Sequence, residues 1–379
     1  MGKWKMVRLG DVATYVNGFA FKPSDWAKEG LPIIRIQNLT GNDYETNRYP
    51  GEYDKKYEVN KGDILISWSA SLGVFEWEKD TALLNQHIFK VVFDKIIVDK
   101  KYFVFVVGDT IKSMLKYTHG STMKHIVKSD FSNIQIPLPP LEIQQKIAVV
   151  LDNASALIEL RKTQLSKLDL LIKSQFIEMF GDPVINPKGW PFESLGNLGD
   201  LNRGVSKHRP RNDSELLDGP YPLIQTGEVS RADLYITDYT STYSEIGLAQ
   251  SRMWPKGTLC ITIAANIAQT AILPFDACFP DSVVGFISGE KTSQIYIHYW
   301  FGFFQKILEE QAPQVAQKNI NLQILNNLNV TVPPIELQKQ FTSFVQQVEK
   351  SKLAIQQSLT KLELNYKSLM QKCFRGEIF

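Results

Sequence analysis

The chain has 379 residues, 44% hydrophobic and 22% charged, with a formal net charge of +2. That composition suits a chain able to bury two or three cores. It excludes a binder working by bulk positive charge, so any nucleic-acid contact must be built from local patches. The three cysteines (Cys260, Cys278, Cys373) fall at no metal or disulfide spacing, which fits a reducing compartment. No apolar run approaches a bilayer span, and Met1-Gly2-Lys3-Trp4-Lys5 leads into no apolar signal core, so the cytoplasm is the expected location.

Trp4 to Val12 opens a first unit. Apolar, β-branched runs bounded by turn residues predict strands over Ile33–Ile36, Asp63–Ser67 and Ile88–Phe93, then a helix over Lys101–Tyr117. Leu138-Pro139-Pro140-Leu141-Glu142-Ile143-Gln144-Gln145-Lys146-Ile147 follows. Behind it, Ile147, Leu151, Ala154, Ile158, Leu165, Leu168, Ile172 and Met179 recur at heptad spacing with no internal Gly or Pro. This predicts a rod of roughly forty residues, about 60 Å long, with one narrow apolar seam. Gly181, Pro183 and Pro187 end it in a linker.

Then the pattern repeats. Trp190 to Leu198 matches Trp4 to Val12 at an offset of 186. Gly204 matches Gly18, Tyr221 to Ile224 matches Leu31 to Ile34, and Lys256 to Thr262 matches Lys61 to Ser67. Predicted strands Leu259–Ala264 and Ser282–Ile287 and a predicted helix Ser293–Glu310 follow. Val332-Pro333-Pro334-Ile335-Glu336-Leu337-Gln338-Lys339 repeats the Pro-Pro entry at an offset of 194, and Phe341, Val345, Val348, Ile355, Leu359, Leu362, Tyr366, Leu369 and Cys373 repeat the seam. About nine extra residues are spread over the loops of the second copy, where insertion is tolerated. The expected architecture is an α+β chain: globules over residues 1–140 and 190–334, long helices over 141–180 and 335–376 forming an antiparallel coiled coil, and a linker over 181–189. Since the second helix ends where a Trp4-like segment would follow, the chain reads as a ring cut open with neighbouring termini and a pseudo-two-fold axis.

Two variable globules, each closing on a Pro-Pro-Leu-Glu-Ile-Gln-Gln-like entry to a long helix, resemble the specificity subunit of type I restriction-modification systems. Pro139–Lys146, Pro333–Lys339, Trp4–Val12 and Leu84–Val91 carry the resemblance, which covers essentially the whole chain. It implies two target-recognition domains, each reading half of a split site in double-stranded DNA. It implies helices that act as a ruler and dock two methyltransferase subunits, with restriction and translocase subunits joining through the complex. It also implies no cofactor in this chain, S-adenosylmethionine belonging to the methyltransferase partner.

Candidate DNA contacts come from the residues themselves. Arg203, Lys207, Arg209 and Arg211, with His208 among them, cluster in a globule with only 10 Lys and Arg against 14 Asp and Glu over residues 189–334. Such a cluster suits phosphates and guanine edges. The matching loop of the first globule offers Asn17 and Lys22. Arg35, Gln37 and Asn38, and in the second copy Gln225 and Thr226, follow matching strands. Ser69, Ser71 and Asn266 sit in small-residue loops that a phosphate backbone could approach, and Gln86 and His87 could bond bases. Ser121 and Lys124 align with the segment holding Gln317, Lys318 and Asn319, and a lysine in both copies suits phosphate positioning.

No phosphate-binding Gly-rich loop, Asn-Pro-Pro-Tyr-like tetrapeptide, metal-spaced cluster or nucleophile–base pair occurs. The expectation is therefore a recognition subunit and not an enzyme. The competing readings are a coiled-coil adaptor binding proteins without a DNA role, and a nuclease or methyltransferase of unfamiliar type.

Overall fold

The computed structural model describes residues 3–41, 47–69, 71–117, 128–264, 267–304 and 320–379, without the side chains of 115–117. It divides into two compact units, one of Met1–Lys162 with Gln357–Phe379 and one of Thr163–Gln356.

Among the described residues the first unit has the strands β1 (Met6–Arg8), β2 (Thr14–Asn17), β3 (Leu31–Ile34), β4 (Arg48–Tyr49), β5 (Glu58–Val59), β6 (Ile64–Ser67), β7 (Gly73–Glu76), β8 (Ala82–Leu84), β9 (Ile88–Val92) and β10 (Gln135–Pro137). They form an antiparallel sheet in the order β2-β9-β6-β7, a mixed sheet β4-β3-β8-β5 and the pair β1-β10. In the mixed sheet β3 and β8 run parallel, Ile34 opposite Leu84. Strand β6 is buried on both faces, which is why it is a continuous apolar run. Ile64 and Ile66 face a core completed by Tyr102, Phe103, Val106 and Val107 of the helix Lys100–Tyr117. Leu65, pointing the other way, packs with Ile34, Val59, Trp77 and Leu84.

The second unit repeats this. Its strands are β11 (Phe192–Ser194), β12 (Gly199–Arg203), β13 (Leu217–Leu223), β14 (Ser241–Tyr243), β15 (Met253–Trp254), β16 (Leu259–Thr262), β17 (Thr270–Ile272), β18 (Ala277–Cys278), β19 (Val283–Ser288) and β20 (Asn329–Thr331). The orders β12-β19-β16-β17, β14-β13-β18-β15 and β11-β20 match those of the first unit strand for strand. Leu259 and Ile261 face the larger core, while Cys260 takes the place of Leu65 and faces the smaller one. Of the extra residues, four fall between Gly204 and Tyr221, where the pairing of β13 with β14 slips between Leu217 and Tyr221, and five fall between Ile224 and Lys256.

Two sequence expectations need adjustment. Ile36 is not in a strand: β3 ends at Ile34, and Asn38 Oδ1 accepts the Arg35 N–H at 2.9 Å, starting the short helix Ile36–Leu39. This is the side-chain capping that ends extended structure. The helix predicted over Ser293–Glu310 is described over Gln294–Phe301, and residues 305–319 lie outside the described residues.

The long helices run Leu141–Phe180 and Ile335–Arg375, and within each unit their segments pack antiparallel. In the first unit Ile147, Ala148 and Leu151 share a core with Cys373 and Leu369. In the second, Phe176 and Phe180 meet Phe341 edge-on at 5.5 and 5.4 Å, and Ile172, Val345 and Val348 join them. Every residue of both predicted seams is buried or half-buried. Lys352 adds a polar tie in the second unit, reaching Asp169 at 2.7 Å, Glu349 at 3.0 Å and Asp233 at 3.4 Å. Burial alone would lower its pKa, but the bonds to Asp169 and Glu349 outweigh that and hold it above the ordinary lysine range.

The termini lie close together, as expected. Lys3 N–H donates to Arg375 O at 2.9 Å and Trp4 Nε1 to Cys373 O at 3.0 Å. In the second unit Trp190 Nε1 donates to Phe180 O at 2.8 Å, the equivalent bond.

Candidate nucleic-acid interface

In each unit one end of both sheets gathers the loops that carry the candidate contacts. In the first unit β2 and β6 run towards the start of β9, with Asn17 opposite Phe89 and Ser67 opposite Ile88. The segment Gly18–Phe21 lies against the turn between β8 and β9. Gly18 N–H donates to Ile88 O at 3.2 Å, Phe19 N–H to Leu84 O at 2.9 Å, and Gln86 N–H to Phe19 O at 2.8 Å. Gly18 must be glycine here, since a Cβ would lie 1.9 Å from Asn85 O. Because β3 and β8 are parallel, Arg35 and Asn85 leave the mixed sheet at the same end.

The structure thus brings together Asn17, Arg35, Gln37, Asn38, Ser69, Gln86 and His87 around one sheet end. Asn17, Lys22 and Ser71 are exposed, while Arg35, Gln37, Asn38, Gln86 and His87 are half-buried. Several of these also hold the scaffold. Asn38 caps Arg35, Ser69 is buried with its carbonyl accepting from Ser67 Oγ at 3.1 Å, and His87, at φ 73°, packs edge-on against Trp68. Arg35 also lies over the Trp26 ring, 5.2 Å from its centre.

The second unit builds the same end differently. Gly204 repeats Gly18, its N–H donating to Val283 O at 2.8 Å, and a Cβ there would lie 2.3 Å from Phe279 O. The turn beside it holds Asp281 where the first unit has Gln86. Asp281 organises the basic segment. Arg211 pairs with its carboxylate in a short contact, Arg209 approaches it at 3.7 Å, and Arg203 Nε donates to its backbone carbonyl at 2.9 Å. Arg209 also donates to Ser206 O and His208 O at 2.7 and 2.8 Å. His208 Nε2 lies 3.1 Å from Asp213. The Glu215 backbone N–H and, next, His208 hold the Asp213 carboxyl below its ordinary range. The Gln250 Oε1 accepts the N–H groups of Lys207 and His208 at 2.7 and 3.1 Å.

So the four basic side chains expected of this loop are together and exposed, two of them sharing the Asp281 carboxylate and a third on its backbone carbonyl. Gln225 and Thr226 start the short helix Thr226–Arg231, where buried Glu228 accepts the Gln225 N–H at 3.0 Å. Ser121, Lys124, Asn266, Gln317, Lys318 and Asn319 lie outside the described residues.

Asp281, Gln250, Arg252 and Trp26 were not picked out from sequence. Asp281 lies 70 residues from Arg211, and nothing local marks the pairing. Arg252 stands at the start of β15 with its guanidinium 4.0 Å from the centre of the Trp254 ring.

What these groups can do chemically is donate and accept hydrogen bonds and neutralise phosphates. Among the described residues no group of three or more His, Cys, Asp or Glu is placed to hold a metal ion, and Cys260 is buried with its thiol pKa pushed far up.

Comparison with known proteins bears on the same regions. The chain is 24% identical to the type I restriction enzyme EcoBI specificity subunit of Escherichia coli over 411 residues, covering 99% of this chain and 86% of that one. It is 24% identical to the MjaVIII specificity subunit of Methanocaldococcus jannaschii over 409 residues, covering 99% and 93%. Its fold is like that of the type I restriction-modification S subunit from M. genitalium, with a TM-score of 0.60, 14% identity, and coverage of 98% and 96%. A family model described as the type I restriction modification DNA specificity domain matches residues 1–170 and again 187–365. With both copies of the repeat matched, the chain belongs to the type I restriction modification DNA specificity domain family.

Proposed function

We propose that this chain is the DNA-recognition subunit of a type I restriction-modification complex and reads a split duplex target, one tract per globule. Its own role is recognition, and the chemistry on DNA belongs to partner subunits. The observation that carries this reading is the repetition of one loop cluster, at the same sheet end of the same core, with different side chains in it. A shared scaffold gives two comparable docking modes. The differing side chains, Gln86 against Asp281 and Asn17 against Arg203, make the two tracts differ in sequence.

The candidate contacts divide by chemistry. Lys22, Lys207, Arg209 and Arg211, all exposed, suit phosphates. Arg35, Gln37, Gln86, His87, Gln225 and Thr226, at strand ends, suit base edges. Two methyltransferase subunits fit the repeat, since a partner that recognises one copy of the helix entry finds it twice. Exposed apolar residues on the first long helix, Val149, Leu157 and Leu160 in the first unit and Leu170 and Leu171 in the second, supply the kind of surface such partners cover. Restriction and translocase subunits would join through the complex, and S-adenosylmethionine would be held by the methyltransferase. A cytoplasmic location accords with these partners; among the described residues no helix is long and apolar enough to cross a membrane.

The test is selection of bound duplexes from a random pool by the complex purified from its own cells, with the methylated positions mapped. Enrichment of two short tracts separated by a fixed gap supports the reading. Retention of protein partners without any DNA selection would favour an adaptor, and methylation or cleavage by the chain alone would overturn the recognition-only role.

A further inference from the structure

Two arginines differ from those gathered around Asp281, one in each unit. The Arg35 guanidinium lies over the Trp26 ring at 5.2 Å, and that of Arg252 lies over Trp254 at 4.0 Å. Among the described residues neither guanidinium has an ion pair or a hydrogen bond, whereas Arg203, Arg209 and Arg211 are bound to Asp281, Ser206 or His208. Both stand at the loop-bearing end of the mixed sheet. Arg35 follows β3, its N–H fixed by Asn38. Arg252 precedes β15, whose Met253 pairs with Cys278 just before the Asp281 turn. The backbone leading to Arg252 is tied to the basic loop, since Ser251 Oγ donates to Val205 O at 2.7 Å and Gln250 takes the Lys207 and His208 N–H groups.

The platform under Arg252 is rigid. Trp254 is fully buried and stacks on Phe279 at 4.8 Å and 18°, and Gly285 leaves the space its ring occupies, where a Cβ would lie 2.6 Å from it. A guanidinium laid on an indole keeps its N–H donors in one plane and loses few rotamers on binding. No ion pair has to be broken to free it. That planar fork matches O6 and N7 of guanine, whereas a phosphate needs only charge.

We propose that Arg252 and Arg35 are the guanine-reading side chains of the second and first globules, so that each tract contains one G·C pair read by a tryptophan-stacked arginine. The inference rests on the DNA-recognition reading above and assigns to Arg252 a role that the loop arginines do not have.

The experiment compares duplex selection by the purified complex carrying wild-type chain, Arg252→Lys or Arg35→Lys. Lysine keeps the charge but lacks the fork. Wild type is expected to select a G·C pair in each tract. Arg252→Lys should lower that preference roughly ten- to hundredfold in one tract and leave every other position unchanged, and Arg35→Lys should do so in the other tract. A merely structural arginine would change the melting temperature and not the selected base. If a lysine variant melts early, the glutamine variant at the same position is put through the same selection. Unchanged base preference in folded variants, or a wild-type tract lacking a G·C pair, overturns the inference while leaving DNA recognition standing. A wild-type complex that selects no sequence fails the recognition reading itself.

Discussion

Gln144 and Gln338, 194 positions apart, are both buried and share two equivalent bonds. Gln144 Nε2 donates to Pro139 O at 2.8 Å, and its Oε1 accepts the Asp99 N–H at 2.9 Å. Gln338 Nε2 donates to Pro333 O at 2.8 Å and Lys291 O at 3.1 Å, and its Oε1 accepts from Ser293 N–H and Thr292 Oγ1, both at 3.1 Å. Each therefore pins the start of a globule helix and the end of a Pro-Pro turn to the first turn of a long helix. The repeated Pro-Pro-x-Glu-x-Gln entry has a structural cause: the glutamine satisfies backbone groups that the prolines and the helix start leave open.

Replacing either glutamine by leucine leaves those buried groups unpaired. We expect each variant to lose roughly 1–3 kcal/mol of stability, with Gln338→Leu the costlier because it breaks four bonds and not two. Urea denaturation measures this. Equal stability to wild type would mean that water replaces the amide.

Lys352 gathers three carboxylates from three chain segments. With only 11% of its side chain exposed, its removal leaves Asp169, Asp233 and Glu349 repelling one another. Lys352→Met should cost roughly 1–3 kcal/mol, below the full penalty for a broken buried pair because Asp169 and Asp233 are wetted. Combining it with Asp169→Asn and Asp233→Asn should recover part of the loss. A triple variant no more stable than Lys352→Met would show that the lysine acts through packing.

His298 sets a pH dependence. Its imidazole shares a hydrogen bond with Thr270 at 2.9 Å, and burial pushes its pKa from 6.5 down to about 4. Facing it are Tyr299, Asp233, Asp169, Glu349 and Lys352. Between those two values the unfolded chain binds the proton more readily than the folded one. The His298 contribution is therefore fully present above about pH 6.5, is lost as pH falls towards about 4, and declines no further below that. Melting temperature against pH should show this slope in wild type and a shallower one in His298→Gln. Identical profiles would mean that the imidazole titrates normally.

Much of the fold was legible because its signals are local. The heptad seam, the Pro-Pro entries and the strands at Ile64–Ser67 and Leu259–Thr262 each follow from a run of neighbouring residues. Phe176 and Phe180 escaped the seam because they lie beside its 4-3 spacing, yet they join the unit-two core through Phe341 and Tyr296. Ile36 reads as extended in the sequence because only a cap three residues apart turns the chain there. The candidate interface was less legible. The basic run was visible, but Asp281, which takes up much of its charge, and Trp254 under Arg252 are known only once the sheets are assembled.

Asp281 supplies the sharpest test of that interface. It holds Arg211 and Arg209 by its carboxylate and Arg203 by its backbone carbonyl, so it offsets positive charge at the surface proposed to meet phosphates. Asp281→Asn keeps the shape and the carbonyl while releasing the two ion pairs. Two guanidinium groups then become available, and a negative charge facing the duplex is gone. DNA affinity at low salt should rise, and the slope of log affinity against log salt should steepen by about 1, the amount expected for one further neutralised phosphate. Lys207→Ala should flatten the slope by about 1, whether Asp281 is present or not, because among the described residues no ion pair holds that exposed side chain. The two changes should therefore nearly cancel when combined. Filter binding with a non-specific duplex at three salt concentrations measures all four proteins. A slope unaltered in both single variants would place this loop away from the duplex, and a slope that responds to Lys207 alone would mean that the arginines serve the turn and not the DNA.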